Sequence, residues 1–259
     1  MTHSPFMKAL LGAICLLLAS SILIARSADD AIAAGLAAEA AFDSAQALEH
    51  FQAAAKERPD DPFILQKIAR QYSDLSTDAT EVEDQKRYAE LALENSLRAH
   101  QLAPDNAVNS LSVAISYGKL GLYSSVSNKV KYARLSEEFT ELAVRQDPDY
   151  AWAWHVLGRW NYEVAKLGAT KRFLVSMFFG GLPQASTQRA VEFLQKAVAL
   201  DPENPAHHVE LGFALLADGQ PDQARRAWQR GLELPPQEKH DPIAQARARA
   251  ALAKLDAAD

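Results

Sequence analysis

Apolar and small residues recur at helical spacing along most of this chain, broken by short polar turns that carry proline. Residues 29–58 are Ala-rich and predict helix throughout, with Phe42, Leu48 and Phe51 marking an apolar stripe in the second half. Segment 43–57 opens the series. Beyond it the pattern predicts helices 62–75 and 85–102, 106–120 and 130–146, 150–166 and 186–200, then 205–218 and 222–234. A last helix, 242–255, has no partner. Asp61-Pro62, Asn204-Pro205 and Asp241-Pro242 read as an N-cap followed by proline at the first helical position.

These helices repeat in register. Pro59, Pro104, Pro148, Pro202 and Pro236 serve as period marks. Nine positions after the first four marks stand Ile68, Val113, Leu157 and Leu211, each followed by a small residue: Ala69, Ala114, Gly158 or Gly212. Ala47, Ala92, Ser136, Ala190 and Ala224 lie twelve positions before the marks. Pro202 to Pro236 spans 34 residues, and Trp154-x-x-Leu157-Gly158 followed by Ala190 and Pro202 completes a tetratricopeptide signature. The fold class expected is therefore all-α, a right-handed α-solenoid of about four tetratricopeptide pairs with flanking helices. The small residues predict close helix approach, with Phe51, Leu194 and Trp228, and less well Ser96 and Thr140, filling the matching hole from the second helix.

The marks are 45, 44, 54 and 34 residues apart, so the first three units carry insertions. Register holds on both sides of each mark, which places the extra residues between the two helices of a pair. Residues 76–86 and 122–131 are polar. The third insertion, 167–186, contains the apolar run Phe173, Leu174, Val175, Met177, Phe178 and Phe179 before Gly180-Gly181-Leu182-Pro183.

The N-terminus follows another pattern. Lys8, an apolar stretch from Ala9 to Ala25 and the small residues of Ala25-Arg26-Ser27 predict a signal peptide over 1–27, with an uncleaved anchor over 9–25 as the rival. The expectation is export to a periplasm. Cys15 is the single cysteine, so the remainder has no thiol for a disulfide, metal or nucleophile. Residues 1–27 carry Lys8 and Arg26 but no acid, leaving 25 basic against 33 acidic residues. Nucleic acid is not the expected partner of so acidic a chain.

Between Ser127 and Pro236 the residues are more specific than a generic repeat. They include Ser127-Asn128-Lys129-Val130-Lys131, the block Trp154 to Val164 with its Leu157-Gly158-Arg159-Trp160 core, then Phe178-Phe179-Gly180-Gly181-Leu182-Pro183 and Ala190 to Ala197. This stretch resembles the regulator of microtubule dynamics family. The resemblance implies an interaction module, in some relatives tethered to membranes and associated with lipid handling. A secretion-like N-terminus departs from the eukaryotic pattern, and an exported protein meets no microtubules, so the family's name is not read as this chain's function.

In such repeats the first helix of each pair lines the concave face through its second, fifth, ninth and twelfth positions. That register selects Phe63, Gln66, Arg70 and Ser73; Val108, Leu111, Ile115 and Gly118; Trp152, His155, Arg159 and Tyr162; and Ala206, Val209, Phe213 and Leu216. The groove candidates are Phe63, Arg70, Leu111, Ile115, Trp152, His155, Arg159, Tyr162, Val209 and Phe213. Arg70, Arg159 and His155 could clamp a carboxylate or phosphate, or pair with acids such as Asp74 and Glu163. Phe173, Leu174, Met177, Phe178 and Phe179 could form a lid, touch a membrane aided by Lys171 and Arg172, or fill a gap between repeats.

His207, His208 and Glu210 complete no ligand set, and His207 and His208 read as a solvated helix start; no metal and no cofactor is expected. No phosphate loop, Gly-x-Ser-x-Gly elbow or interpretable catalytic carboxylate pair appears, so enzymatic activity is unsupported. The expected function is a non-enzymatic scaffold holding a protein segment in the groove. The alternative is carriage of an amphiphile such as a fatty acid.

Overall fold

A computed structural model describes residues 28–257, and all the secondary structure in that range is helical. The predicted signal peptide or anchor lies outside the described residues. Helix α1 covers 28–40, followed by α2 (Ser44–Glu57), α3 (Pro62–Asp78), α4 (Val82–Leu102), α5 (Ala107–Leu122) and α6 (Val126–Gln146). The second half holds α7 (Ala151–Ala165), α8 (Gly168–Phe179), α9 (Thr187–Leu200), α10 (Pro205–Ala217), α11 (Pro221–Glu233) and α12 (Asp241–Asp256). Neighbouring helices pack as antiparallel pairs that stack into an α-solenoid.

The continuous helix expected over 29–58 is two helices. Phe42 adopts a left-handed conformation, φ 61°, and Asp43 then caps α2 by accepting a hydrogen bond from the Gln46 amide at 3.0 Å. The break lets α1 fold back as a partner for α2. Phe51 fills the seam, where a Cβ on Gly35 would stand 2.7 Å from its ring. The array therefore holds five pairs, α1/α2, α3/α4, α5/α6, α7/α9 and α10/α11, closed by α12.

The small-residue register has the steric origin expected of it. A Cβ on Gly158 would lie 2.6 Å from Leu194 Cγ and 3.2 Å from the Ala190 carbonyl oxygen, so α7 and α9 meet too closely for any side chain there. Gly212 faces the indole of Trp228 in the same way, and that indole donates to the Val209 carbonyl at 3.1 Å. Phe51, Leu194 and Trp228 are fully buried. Burial of a side chain of this size stabilises by roughly 1.5–3 kcal/mol.

The insertions have two outcomes. The two polar ones lengthen the helices, extending α3 and α5 forward and starting α4 and α6 early. The apolar one forms α8, which ends at Gly180 in the left-handed conformation, φ 75°. Asp61 and Asn204 cap α3 and α10 ahead of Pro62 and Pro205. Asp241 is instead the first residue of α12, and its carboxylate accepts from the amides of Gln237 and Glu238, both at 2.8 Å, tightening the turn before it.

Candidate concave cavity

Curvature of the stack brings the first helices of four successive pairs around one cavity of about 440 Å³. Its apolar wall is Val108, Leu111 and Ile115 of α5, Trp152 of α7, and Ile243 and Ala244 of α12. Arg70 and Asp74 of α3, Lys119 of α5, Arg159 of α7 and Glu210 of α10 supply its charge. The volume is in the range of small-molecule and peptide side-chain sites.

Six sequence candidates line this space: Arg70, Leu111, Ile115, Trp152, His155 and Arg159. Four do not. Phe63 is exposed outside it, with the Lys67 ammonium 5.7 Å from its ring centroid. Val209 is fully buried, and Tyr162 is buried in the same core. Phe213 packs on Trp228 beneath the Arg247 guanidinium. Even spacing along each helix does not carry over to the stack: Phe63 at the start of α3 lies off the cavity wall, while Tyr162 near the end of α7 and Val209 and Phe213 of α10 pack into the core around Trp228. Neither Trp160 nor Trp154 lines the cavity. Trp160 is buried and donates to the Ala133 carbonyl at 2.8 Å, while Trp154 is only partly buried against Phe193.

The ion pairs differ from the local ones considered for the two arginines. Arg70 meets Glu39 of α1 at 3.0 Å and Glu238 in the turn before α12. Arg159 stands 3.8 Å from Glu210, which Arg247 reaches at 3.2 Å; Glu163 pairs with Lys166 instead. Lys119 donates to the Ser73 carbonyl oxygen at 2.5 Å and to the Thr77 hydroxyl. It has no carboxylate within ion-pair distance among the described residues. Burial lowers its pKa to about 8 against the pull of Asp74 and Asp78. Burial likewise raises the pKa of Asp74, and pushes the Tyr150 hydroxyl at the rim up to about 12.

Residues 238–240 bridge the cavity mouth. Glu238 takes Arg70, Lys239 pairs with Asp78 at 2.6 Å and donates to Ser44 Oγ at 3.0 Å, and His240 Nε2 lies 2.9 Å from Asp78. This clasp joins the turn before α12 to α2 and α3, so the first and last parts of the array meet across the opening.

His207 and His208 are buried, contrary to the solvated helix start expected of them. His155 Nδ1 and His207 Nδ1 are 2.9 Å apart, and the Trp152 ring packs on both imidazoles. His208 Nε2 lies 2.8 Å from the Pro202 carbonyl oxygen. His207 Nε2 is buried without a partner. A tautomer pair in which His207 Nδ1–H donates to His155 Nδ1 leaves only an acceptor orphaned, which costs less than burying a lone donor. Burial lowers the pKa of both rings, His155 well below its ordinary value and His207 to about 4.

Helix α8 does not cover the cavity. Its C-terminal end lies beside α6, where Arg134 donates from Nε to the Gly181 carbonyl at 2.9 Å and from a terminal nitrogen to the Phe179 carbonyl at 2.7 Å. Gap filling is no better a description, since Phe173, Leu174, Met177, Phe178 and Phe179 all remain exposed.

Sequence reasoning missed Lys119, Glu210, Arg247 and the clasp. Lys119 lies inside the expected helix, one position past Gly118, the last position that the register selects. The clasp had no local signal.

A family model described as Regulator of microtubule dynamics protein 1-3 matches residues 31–256. The chain belongs to that family. It is 28% identical over 143 residues to human regulator of microtubule dynamics protein 2, covering 55% of this chain and 35% of that protein. Against Xenopus laevis regulator of microtubule dynamics protein 3 it is 31% identical over 139 residues, covering 54% of this chain and 30% of that one. The matches thus span about a third of these relatives' lengths. Among solved structures, a tetratricopeptide protein of Thermus thermophilus is similar in fold, with a TM-score of 0.64 and 22% identity over 87% of this chain and 98% of that one.

Proposed function

We propose that the protein is a non-enzymatic scaffold that holds a partner segment in the concave cavity, reading an acidic group beside an apolar side chain. The observation that carries this is Lys119. It is a half-buried cation with no carboxylate within ion-pair distance among the described residues, although Asp74 and Asp78 act on it from farther off, and it stands next to the Leu111, Ile115 and Trp152 wall. A carboxylate arriving there would supply a direct ion-pair partner, with Arg159 as a second donor held only loosely by Glu210 at 3.8 Å. Selection from a peptide library on the full-length chain should enrich an Asp, Glu or free C-terminus next to a large apolar residue. Binding should fall about tenfold or more with Arg159→Ala, since charge-assisted hydrogen bonds contribute roughly 1.5–3 kcal/mol. Selected peptides that bind equally well to Arg159→Ala and to the cavity-filling Ile115→Trp variant would remove this reading.

A second reading is favoured by the clasp. A mouth bridged by Glu238, Lys239 and His240 suits a small amphiphile, such as a fatty acid, better than a chain passing through. Native mass spectrometry of detergent-free protein separates the two, because a co-purifying lipid supports carriage and consistently empty protein counts against it. Export is proposed on Lys8, the Ala9–Ala25 run and Ala25-Arg26-Ser27, with the periplasm as destination and an anchor over 9–25 as the alternative. Sequencing the mature N-terminus tests it, with Ala28 expected as the first residue.

A further inference from the structure

Antiparallel pairing puts all turns within pairs on one edge of the stack and all turns between pairs on the other. The two edges differ in chemistry. Turns between pairs carry acids such as Asp60, Asp105, Asp149 and Glu203. On the opposite edge, residues 120–136 and 164–189 contain seven Lys and Arg and no Asp or Glu, within a chain of net charge −6. The turn before α4, with Glu81, Glu83 and Asp84, is acidic, so this basic stretch belongs to the third and fourth pairs.

The same stretch presents apolar side chains to solvent. On α8, Phe173 is 65% exposed, Met177 56% and Phe178 66%, and Leu122 and Val126 at the turn beside α6 are 68% and 58% exposed. Phe178 and Phe179 border a surface depression with Val130, Lys131, Arg134 and Glu138 of α6, so the α8 rings share a surface with Lys131 and with one acid, Glu138. Lys129, Lys131 and Lys171 are exposed and have no acidic partner among the described residues. Arg134 spends its hydrogen bonds on the Phe179 and Gly181 carbonyls, which fixes the end of α8 to α6 while leaving its rings outward.

We propose that this edge docks on an anionic lipid bilayer, with the α8 rings inserted at the level of the headgroups and Lys129, Lys131 and Lys171 on the acidic headgroups. Charge complementarity selects the bilayer: exposed lysines of α6 and α8 lie on the same edge as the exposed apolar residues, as expected where inserted rings and interfacial cations act together. The acidic opposite edge then faces water and orients the cavity relative to the membrane.

The test uses the full-length chain with Cys15→Ser and Met177→Cys, labelled at 177 with an environment-sensitive fluorophore. A second preparation carries the label at 105 through Asp105→Cys. Vesicles of phosphatidylcholine with about one-third phosphatidylserine should shift the emission at 177 to the blue and make it quenchable by doxyl-labelled lipid, while the label at 105 stays aqueous. Reversing Lys129, Lys131 and Lys171 to Glu together should weaken the response about 100-fold or more, on the cost per surface cation. The local label keeps the result independent of any insertion by residues 9–25. No shift at 177, an equal shift with neutral phosphatidylcholine vesicles, or one that tracks protein concentration without vesicles would each overturn the proposal. A response insensitive to the triple reversal would do the same.

Discussion

The seams between paired helices and the clasp across the cavity mouth join parts of one molecule by opposite means. At the seams, Leu194 and Trp228 fill space that Gly158 and Gly212 leave open, both side chains are fully buried, and the contacting residues are close in sequence. At the clasp, Glu238, Lys239 and His240 reach Arg70 and Asp78 over more than 150 positions through partly exposed charges. Dry packing resists exchange with solvent, whereas exposed ion pairs trade with water at little net gain. The stack is thus held together by its seams, and the clasp is expected to open without unfolding it.

The largest expected effect is at a seam. Trp228→Ala should lower unfolding free energy by about 3–5 kcal/mol, read from urea denaturation, because it leaves a cavity and removes the bond to the Val209 carbonyl. A loss similar to that of the clasp variants would erase the contrast.

Acid should act next. His207 is held to about 4 and His155 well below 6.5, so between pH 6.5 and about 4 the unfolded chain takes up protons that the folded chain refuses. This contribution is complete above pH 6.5 and is lost as the pH falls, by up to about 3 kcal/mol for His207. Glu137, raised to about 7 by burial and the nearby Glu141, works in the opposite direction. The measurement is therefore the difference in pH slope between the wild type and His207→Gln, and identical slopes would refute the assignment.

Gly158→Ala should cost about 1–3 kcal/mol despite alanine's better helix propensity, since the added methyl meets both Leu194 and the Ala190 carbonyl. Thermal unfolding checks it. The smallest global effect belongs to Glu238→Ala, expected under about 1 kcal/mol. Its signature is local: faster hydrogen exchange at the amides of 237 and 238, with the α10 and α11 core unchanged. Faster exchange throughout the molecule would show that the clasp carries the fold.

The pairing of helices was legible because its causes are local. A glycine at a fixed distance from a proline mark, and a large residue on the next helix, are facing positions in a short hairpin whose geometry is set by helix pitch. The same locality exposed six residues of the cavity. It failed at Phe42, where a single left-handed residue capped by Asp43 splits a helix that composition alone makes continuous.

What the chain order determined unaided was which helices pair, which small positions touch, and that no disulfide braces the repeats after Cys15. Only the assembled stack decided that Val209 and Tyr162 turn into the core, that His155 meets His207, and that Glu238 arrives beside Arg70. Those outcomes depend on the sum of small rotations from pair to pair. Each rotation follows from packing that residues near in sequence specify, but their accumulated curvature is a property of the whole array.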